Sequence, residues 1–183
     1  MAMPMMSPAL ANALTMALDD EYRARATYQA VLDTFGPVWP FVNIVQAEQR
    51  HIEALTPLFY RYGVMPPADR WSGNVLLQPT LAENCRAAVT GEINNYSMYD
   101  RLLQQVVEPD VRFVFSNLRN ASAYHHLPAF QVCAGSDYSS VQVPALASAQ
   151  ENNQTSVMQT MALGAVAGVG LTWLLSRALK ARA

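Results

Sequence analysis

Charged residues are scarce in this sequence of 183 residues. Asp, Glu, Lys and Arg make up 14% of it, against about a quarter in a typical soluble domain, whereas hydrophobic residues make up 51%. The 12 basic residues are scattered along the chain, and the formal net charge is −2. Nucleic acids are bound by clustered Lys and Arg. The composition therefore argues against a nucleic-acid partner.

Cysteine is also rare, and a basic amino terminus is lacking. Cys85 and Cys133 are too few for a disulfide scaffold and do not have the spacing of a zinc site. The apolar start of the chain has no basic residues before it and is interrupted by Pro4 and Pro8. We therefore predict no secretory signal.

Glycine and proline occur at a few points that separate long stretches with helical spacing of apolar residues. These stretches predict four helices, with bounds near Ser7 to Phe35, Pro40 to Tyr62, Thr80 to Val107, and Pro109 to Cys133. Residues 63–79 form a long connection that Trp71, Leu76 and Leu77 are available to hold against the helices. We therefore predict an all-α fold, a four-helix bundle over residues 7–133 with a long crossover between helices 2 and 3.

The two predicted hairpins resemble each other in their polar residues. Glu21 precedes Tyr28 by seven positions, and Glu92 precedes Tyr99 by seven, so each Glu shares a helix face with its Tyr. The second helices of the two hairpins also match, since His51 begins the segment His-Ile-Glu-Ala-Leu and His126 begins the segment His-Leu-Pro-Ala-Phe. This repetition indicates an internal duplication.

Glu48 and His51 form a Glu-x-x-His pair on one helix face. Di-iron carboxylate bundles bind their two metal ions with single Glu residues from two helices and Glu-x-x-His pairs from the other two. The carboxylates can bridge ions, imidazole suits iron, and open positions remain for an oxidant. The pattern predicts five metal ligands, which are Glu21, Glu48, His51, Glu92 and His126. We expect the phenols of Tyr28 and Tyr99 to hydrogen-bond the ligand carboxylates.

The segment 47–55, Ala-Glu-Gln-Arg-His-Ile-Glu-Ala-Leu, is similar to the second-helix motif of rubrerythrin-type ferritin-like proteins. The segment 117–130 resembles the signature of an uncharacterised bacterial ferritin-like family of unknown function. The resemblance covers roughly residues 18–133. It implies a ferritin-like bundle and a metal centre, and the superfamily includes ferroxidases, peroxidases and oxygen-activating enzymes. It does not fix the reaction, so the enzymatic activity stays open.

The second Glu-x-x-His pair is incomplete. With His126 aligned on His51, Ala123 stands where the fourth-helix Glu is expected. His125 or water would be the substitutes for that carboxylate. A weakened dinuclear site and a single metal ion are therefore both consistent with the sequence.

The remaining polar and aromatic residues of the helices are assigned to ordinary structural roles. Acidic residues next to the predicted ligands are expected at the surface or at helix caps (Asp19, Asp20, Glu53), and the other tyrosines in the core (Tyr22, Tyr96, Tyr124).

The two cysteines are predicted to lie close together. Cys85 lies seven residues before Glu92, and Cys133 lies seven residues after His126, so both stand two turns from the predicted metal layer. They belong to antiparallel helices, which brings them to the same end. A disulfide and a pair of buried thiols are both compatible with this placement.

The carboxyl-terminal part is predicted to contain a membrane helix. Residues 134–156 have the composition of a flexible linker, and residues 157–176 are uncharged over the length that spans ~30 Å of hydrocarbon. A basic tail of residues 177–183 follows, and Gly164 and Gly168 could support helix pairing in a homo-oligomer. The alternative is a tail helix that packs in an oligomer or on a partner.

Two functions follow as hypotheses. The first is a membrane-tethered ferritin-like protein that binds iron or a similar ion and handles oxygen, peroxide or iron itself. The second is a membrane-anchored helical bundle without catalysis, which serves in interaction or assembly. The sequence leaves open the side of the membrane on which the bundle lies, and a soluble cytoplasmic protein remains the alternative.

Overall fold

The computed structural model describes residues 7–135, and all regular structure in that part of the chain is helical. The helices are α1 (Pro8–Phe35), α2 (Phe41–Arg61), α3 (Leu81–Leu102) and α4 (Pro109–Ala121), and a π-helical turn (Ser122–His126) joins α4 to α5 (Leu127–Ala134). Because α4, the π turn and α5 run on from one another, they form one long fourth helical segment. The predicted all-α bundle is confirmed.

The predicted linker begins at residue 134, which is the last residue of α5, and from residue 136 onwards the linker, the carboxyl-terminal helix with Gly164 and Gly168, and the basic tail lie outside the described residues. None of the helices between residues 7 and 135 combines the length and apolar character that a membrane crossing requires.

The helix ends follow the local sequence signals. The Ser7 hydroxyl accepts a hydrogen bond from the Leu10 amide at 3.1 Å, which caps α1. Thr80 and Glu83 form a reciprocal capping box at the start of α3. Helix α3 ends at Leu102, five residues before the predicted end at Val107, and the next residues form turns.

The fourth helical segment widens at its middle. In the π turn, the Leu127 amide donates to the Ser122 carbonyl, five residues earlier. Pro128 follows directly and has no amide to donate, and in a regular α-helix its ring would meet the Tyr124 carbonyl. The wider turn relieves this conflict. The predicted bounds of this helix, Pro109 to about Cys133, agree with the structure. The π turn in its middle was not predicted.

The core consists of two apolar clusters with a polar layer between them. Along α1, the first cluster includes Leu14 and Leu18, and the second includes Val31. Along α2 the order is reversed, from Phe41 in the second cluster to Phe59 in the first, because the helices are antiparallel. The residues between the clusters on each helix are the candidate metal ligands. Both clusters therefore exclude water from that layer.

The crossover between α2 and α3 is held mainly by polar contacts. The Trp71 indole donates to Asp19 at 3.0 Å, and Arg25 forms an ion pair with Asp69 at 2.7 Å. The role predicted for Trp71 is therefore confirmed. Leu77 packs against the second apolar cluster, as predicted, but Leu76 is 97% exposed, so its predicted role in holding the crossover was wrong.

The other tyrosines differ in their burial. Tyr96 is buried, and Tyr22 packs against the first apolar cluster, as expected. Tyr124 is 46% exposed, so its placement in the core was wrong. It lies in the π turn, where the residue-to-face relation of an α-helix does not hold.

Candidate metal centre

All five residues predicted as metal ligands meet in the polar layer. Glu21 comes from α1, Glu48 and His51 from α2, Glu92 from α3, and His126 from the end of the π turn. All five are buried, with no more than 9% of any residue exposed. They form two groups of three that share Glu48, and within each group the ligand atoms lie within 4.8 Å of one another.

Glu48 faces both imidazoles. Its Oε2 atom lies 2.9 Å from Nδ1 of His51, and its Oε1 atom lies 3.1 Å from Nδ1 of His126. Each histidine also faces the Glu of its own hairpin. The His51 nitrogen is 3.0 Å from Glu21 Oε2, and the His126 nitrogen is 3.5 Å from Glu92 Oε2. The arrangement has two similar halves with one carboxylate between them.

The two predicted tyrosines hold carboxylates across the hairpins. The Tyr28 hydroxyl donates to Glu92 Oε1 at 2.6 Å, and the Tyr99 hydroxyl donates to Glu21 Oε1 at 2.6 Å. Each tyrosine thus donates to the Glu of the other hairpin, although it shares a helix face with the Glu of its own hairpin. Each of these Glu residues keeps its other oxygen facing a histidine.

A second polar network was not predicted. The Asn95 amide nitrogen donates to Asp20 at 2.9 Å and to Glu21 Oε1 at 3.3 Å, and its oxygen accepts from the Ser122 hydroxyl at 2.6 Å. Asp20 is therefore linked to the polar layer through Asn95, which its assignment to the surface or a cap did not anticipate. Asn95 lies three residues after Glu92, on the same helix face, and that spacing is the signal that would have revealed it.

The charges of the layer compensate one another. Burial disfavours the imidazolium form, but the carboxylates of Glu21 and Glu48 outweigh it and raise the pKa of His51 to about 10. Burial is outweighed in the same way at His126, whose pKa rises to about 10 beside Glu48 and Glu92. Burial raises the pKa of Glu21, and the Glu48 charge adds to the effect. At Glu48 burial acts in the same direction, but the two imidazolium groups outweigh it and lower its pKa.

The position expected to carry the sixth ligand is apolar. Ala123 is 1% exposed and packs in the second apolar cluster with Leu127 and Phe130. His125 is exposed and does not join the ligand groups, so it does not replace the carboxylate. A π turn has more residues per turn than an α-helix. The residue that shares a helix face with His126 is therefore Ser122, four positions earlier, rather than Ala123, three positions earlier. Ser122 binds Asn95 and carries no charge.

The donor set fits a metal ion. The Nδ1 atom of His126 is buried between two carboxylates, 3.1 Å from Glu48 Oε1 and 3.5 Å from Glu92 Oε2. Two carboxylates that converge on one buried imidazole nitrogen form a donor set suited to a bound cation. Carboxylate and imidazole together are ligands for iron, zinc and similar ions. The buried Glu and His groups could therefore hold a metal ion.

The two cysteines meet at the end of the bundle near the second apolar cluster. Cys85 on α3 and Cys133 on α5 are joined by a disulfide, with their Cα atoms 5.6 Å apart. That Cα separation is the usual one for a bridge. The predicted proximity is confirmed, and the bond links α3 to the carboxyl-terminal part of the fourth helical segment.

The chain is similar in fold to two solved structures. The hypothetical protein MJ0754 from Methanococcus jannaschii is 21% identical with a TM-score of 0.66, over 81% of this chain and 91% of that one. The conserved hypothetical protein rv2844 from Mycobacterium tuberculosis is 16% identical with a TM-score of 0.57, over 76% of this chain and 96% of that one. At these identities the similarity shows a shared fold alone. No family model and no curated protein matches the chain.

Proposed function

We propose that the protein is a ferritin-like metalloprotein that binds two iron ions in the polar layer and carries out redox chemistry with oxygen, peroxide or iron itself. The observation that carries the proposal is the position of Glu48. Its two oxygens face two different histidines, each of which also faces a Glu. A carboxylate placed in this way is suited to bridge two ions.

The ligand set favours a redox centre over a closed structural site. Three carboxylates and two imidazoles are too few to fill the coordination shells of two iron ions, so positions remain for water or an oxidant. Bound iron would supply the electron transfer. Ser122, which the π turn brings to the polar layer, carries no carboxylate and leaves that side of the site without a charged protein ligand.

The protein side chains would hold and orient this centre. Tyr28 and Tyr99 fix one oxygen of Glu92 and Glu21, which leaves the other oxygen of each Glu to face the site. Asn95 adds a second hydrogen bond to Glu21. The two apolar clusters exclude water from both ends of the layer, which strengthens every charge interaction within it.

The test is to load the full-length protein with ferrous iron under anaerobic conditions. Bound iron is counted, and its oxidation by oxygen or peroxide is followed by absorption spectroscopy. We expect two irons per chain that oxidise on exposure. Failure to bind iron or another divalent metal would contradict the proposal and favour the alternative of a bundle that serves in interaction or assembly.

Glu48→Gln and Glu53→Gln form a matched pair for this test. Both residues lie on α2, but Glu53 is exposed and accepts only a surface hydrogen bond from Gln49 in the described contacts. We expect Glu48→Gln to lose both irons, because both ligand groups share that carboxylate. Glu53→Gln should retain them. Equal iron content in the two variants would rule out Glu48 as the bridge.

We also propose that residues 157–176 tether the bundle to a membrane. The support is the length and lack of charge of this stretch and the basic residues that follow it. Fractionation of the full-length protein, with and without residues 157–183, tests this. Recovery of the full-length protein in the fraction without membranes would contradict it.

A further inference from the structure

A cavity of about 380 Å³ opens beside the candidate metal centre, between α2 and the π turn. Its lining includes both histidines of the ligand groups, His51 and His126, whose rings are stacked with centroids 5.4 Å apart. His51 is the most exposed of the five candidate ligands, at 9%. The cavity is therefore the side from which a small molecule can approach the polar layer. Its volume suits a small ligand.

The ionisable groups that line this cavity are all basic. Arg50 and His125 are exposed at its rim, and His51 and His126 form its inner wall. Neither Asp nor Glu is among its lining residues. The guanidinium of Arg50 is the permanent charge of this lining, and a guanidinium at the rim of a concave surface without acidic side chains favours an anion.

The rest of the cavity wall is largely apolar. Ile44, Ala47 and Ala129 line it, and the Trp39 indole, 51% exposed, stands at its edge. An exposed tryptophan beside a basic rim offers a flat apolar surface to a ligand whose other end is charged. This combination favours an organic anion over a small inorganic one.

A second cavity in the bundle provides the contrast. It has a volume of about 400 Å³ and lies between α1 and α2 and the crossover. Its lining contains Arg25 and Asp33, so it carries both signs of charge, and it includes none of the five candidate ligands. Size alone therefore does not distinguish the cavity beside the histidines. The guanidinium at its rim, the lack of acidic side chains in its lining and its contact with the polar layer do.

We propose that the cavity beside His51 and His126 binds a small organic carboxylate, with the carboxylate on Arg50 and the apolar body against Trp39 and Ile44. Binding of the acid in this cavity does not depend on the proposed function. Only its role as the substrate of the metal centre rests on that function. Arg50 presents a guanidinium group, which pairs with a carboxylate through two parallel hydrogen bonds. The apolar body then lies next to the imidazoles.

Benzoate is the probe, and the full-length protein is titrated calorimetrically with it, both metal-free and loaded with iron. We expect Arg50→Gln to weaken benzoate binding at least about tenfold, because it removes a charged hydrogen-bond donor. The matched control is Arg101→Gln, which makes the same charge change at an exposed position on α3 outside the cavity lining. Its benzoate affinity should equal that of the unaltered protein.

Acetate and inorganic phosphate test the apolar wall. We expect both to bind more weakly than benzoate, and Trp39→Ala to lower only the affinity for benzoate. Equal benzoate affinity in the Arg50→Gln and Arg101→Gln variants would overturn the proposal. So would an affinity for phosphate that matches the affinity for benzoate.

Metal content is counted on the same samples, so that the two proposals fail separately. Binding of benzoate through Arg50 in a protein that takes up no metal would leave the carboxylate site and remove the metal function. Iron uptake without benzoate binding would leave the metal function and remove the carboxylate site.

Discussion

At the scale of single residues, the stability of the candidate centre depends on which positive group, a protonated histidine or a metal ion, accompanies its buried carboxylates. Glu21, Glu48 and Glu92 bring three carboxylates into a buried layer, where ionised groups are stable only with partners. The imidazolium groups of His51 and His126 are those partners in the metal-free protein. A metal ion would replace them, since a ligating imidazole must be deprotonated.

Tyr99→Phe tests the hydrogen bond to Glu21. The Tyr99 hydroxyl is buried and donates to Glu21 Oε1 at 2.6 Å, so its removal frees the carboxylate to rotate. We expect metal affinity to fall by about 10–100-fold, the usual effect of losing a partner that orients a ligand. Competition with a coloured chelator measures the affinity.

Tyr96→Phe is the control for this change. Tyr96 lies on the same helix and is also buried, but its ring packs against the Arg119 guanidinium. The metal affinity of this variant should stay at the original value. A Tyr99→Phe variant that also kept it would show that Glu21 does not need its tyrosine.

The stability of the metal-free protein should fall as the pH rises. The pKa values of His51 and His126 are about 10 in the folded protein, against an ordinary value of 6.5. The folded protein therefore binds protons that the unfolded chain releases. Their contribution to the free energy of unfolding is complete below pH 6.5 and is lost as the pH rises towards 10.

Urea unfolding of the metal-free protein across this pH range measures the effect, and the midpoint should decrease steadily. Metal affinity should increase over the same range, because fewer protons remain to be displaced. His125→Gln, which changes an exposed histidine outside the ligand groups, should leave both trends unchanged. A midpoint that does not vary with pH would contradict the raised pKa values.

At the scale of secondary structure, the π turn decides which residues of the fourth helical segment face the polar layer. Ser122 reaches Asn95, and Ala123 packs among apolar residues. In a regular α-helix, the residue three positions before His126 would share its face. The wider turn alters that relation, so the absence of Glu at position 123 is not by itself the loss of a ligand.

Ala123→Glu tests this geometry. In a regular helix the new carboxylate would complete a second Glu-x-x-His pair and raise metal affinity. In the structure it would be buried in a close-packed apolar cluster, so we expect a loss of more than about 2 kcal/mol in the free energy of unfolding. Urea unfolding measures this loss.

Ala87→Glu is the control, since it introduces the same side chain at an exposed position of α3. We expect its free energy of unfolding to change by less than about 0.5 kcal/mol. If Ala123→Glu instead gained metal affinity without loss of stability, position 123 would face the metal layer.

At the scale of the whole bundle, the Cys85–Cys133 bond ties two helices together over a sequence separation of 48 residues. Closing a loop of this length in the unfolded chain stabilises the folded state by about 4 kcal/mol on the chain-entropy estimate. We therefore expect a reductant to lower the urea midpoint of the protein. The bridge lies at one end of the bundle, outside the ligand groups.

The double variant Cys85→Ala with Cys133→Ala is the control for reduction. Its urea midpoint should match that of the reduced protein and should not respond to reductant. Metal stoichiometry should be the same with and without the bond, because the ligands come from positions two helical turns away. An unaltered protein whose midpoint is insensitive to reductant would show that the bond contributes no stability.

The sequence alone determined the helical hairpins and the five Glu and His residues of the polar layer. Helical periodicity placed Glu48 with His51 on one face, and the repeated seven-residue spacing placed Glu21 and Glu92 at matching levels. Caps such as Ser7 and Thr80 fixed helix starts, because they satisfy amides within the same short segment. These are local relations, and the chain carries them without reference to its tertiary contacts.

Only the tertiary structure decided how the residues pair. Tyr28 serves Glu92, and Tyr99 serves Glu21, because the helices pack so that each phenol reaches the opposite hairpin. The partners of Asn95 and the cavity beside the histidines likewise depend on helices that are distant in sequence. Periodicity defines a face of one helix, whereas contacts depend on the rotation and register between helices, which packing alone sets.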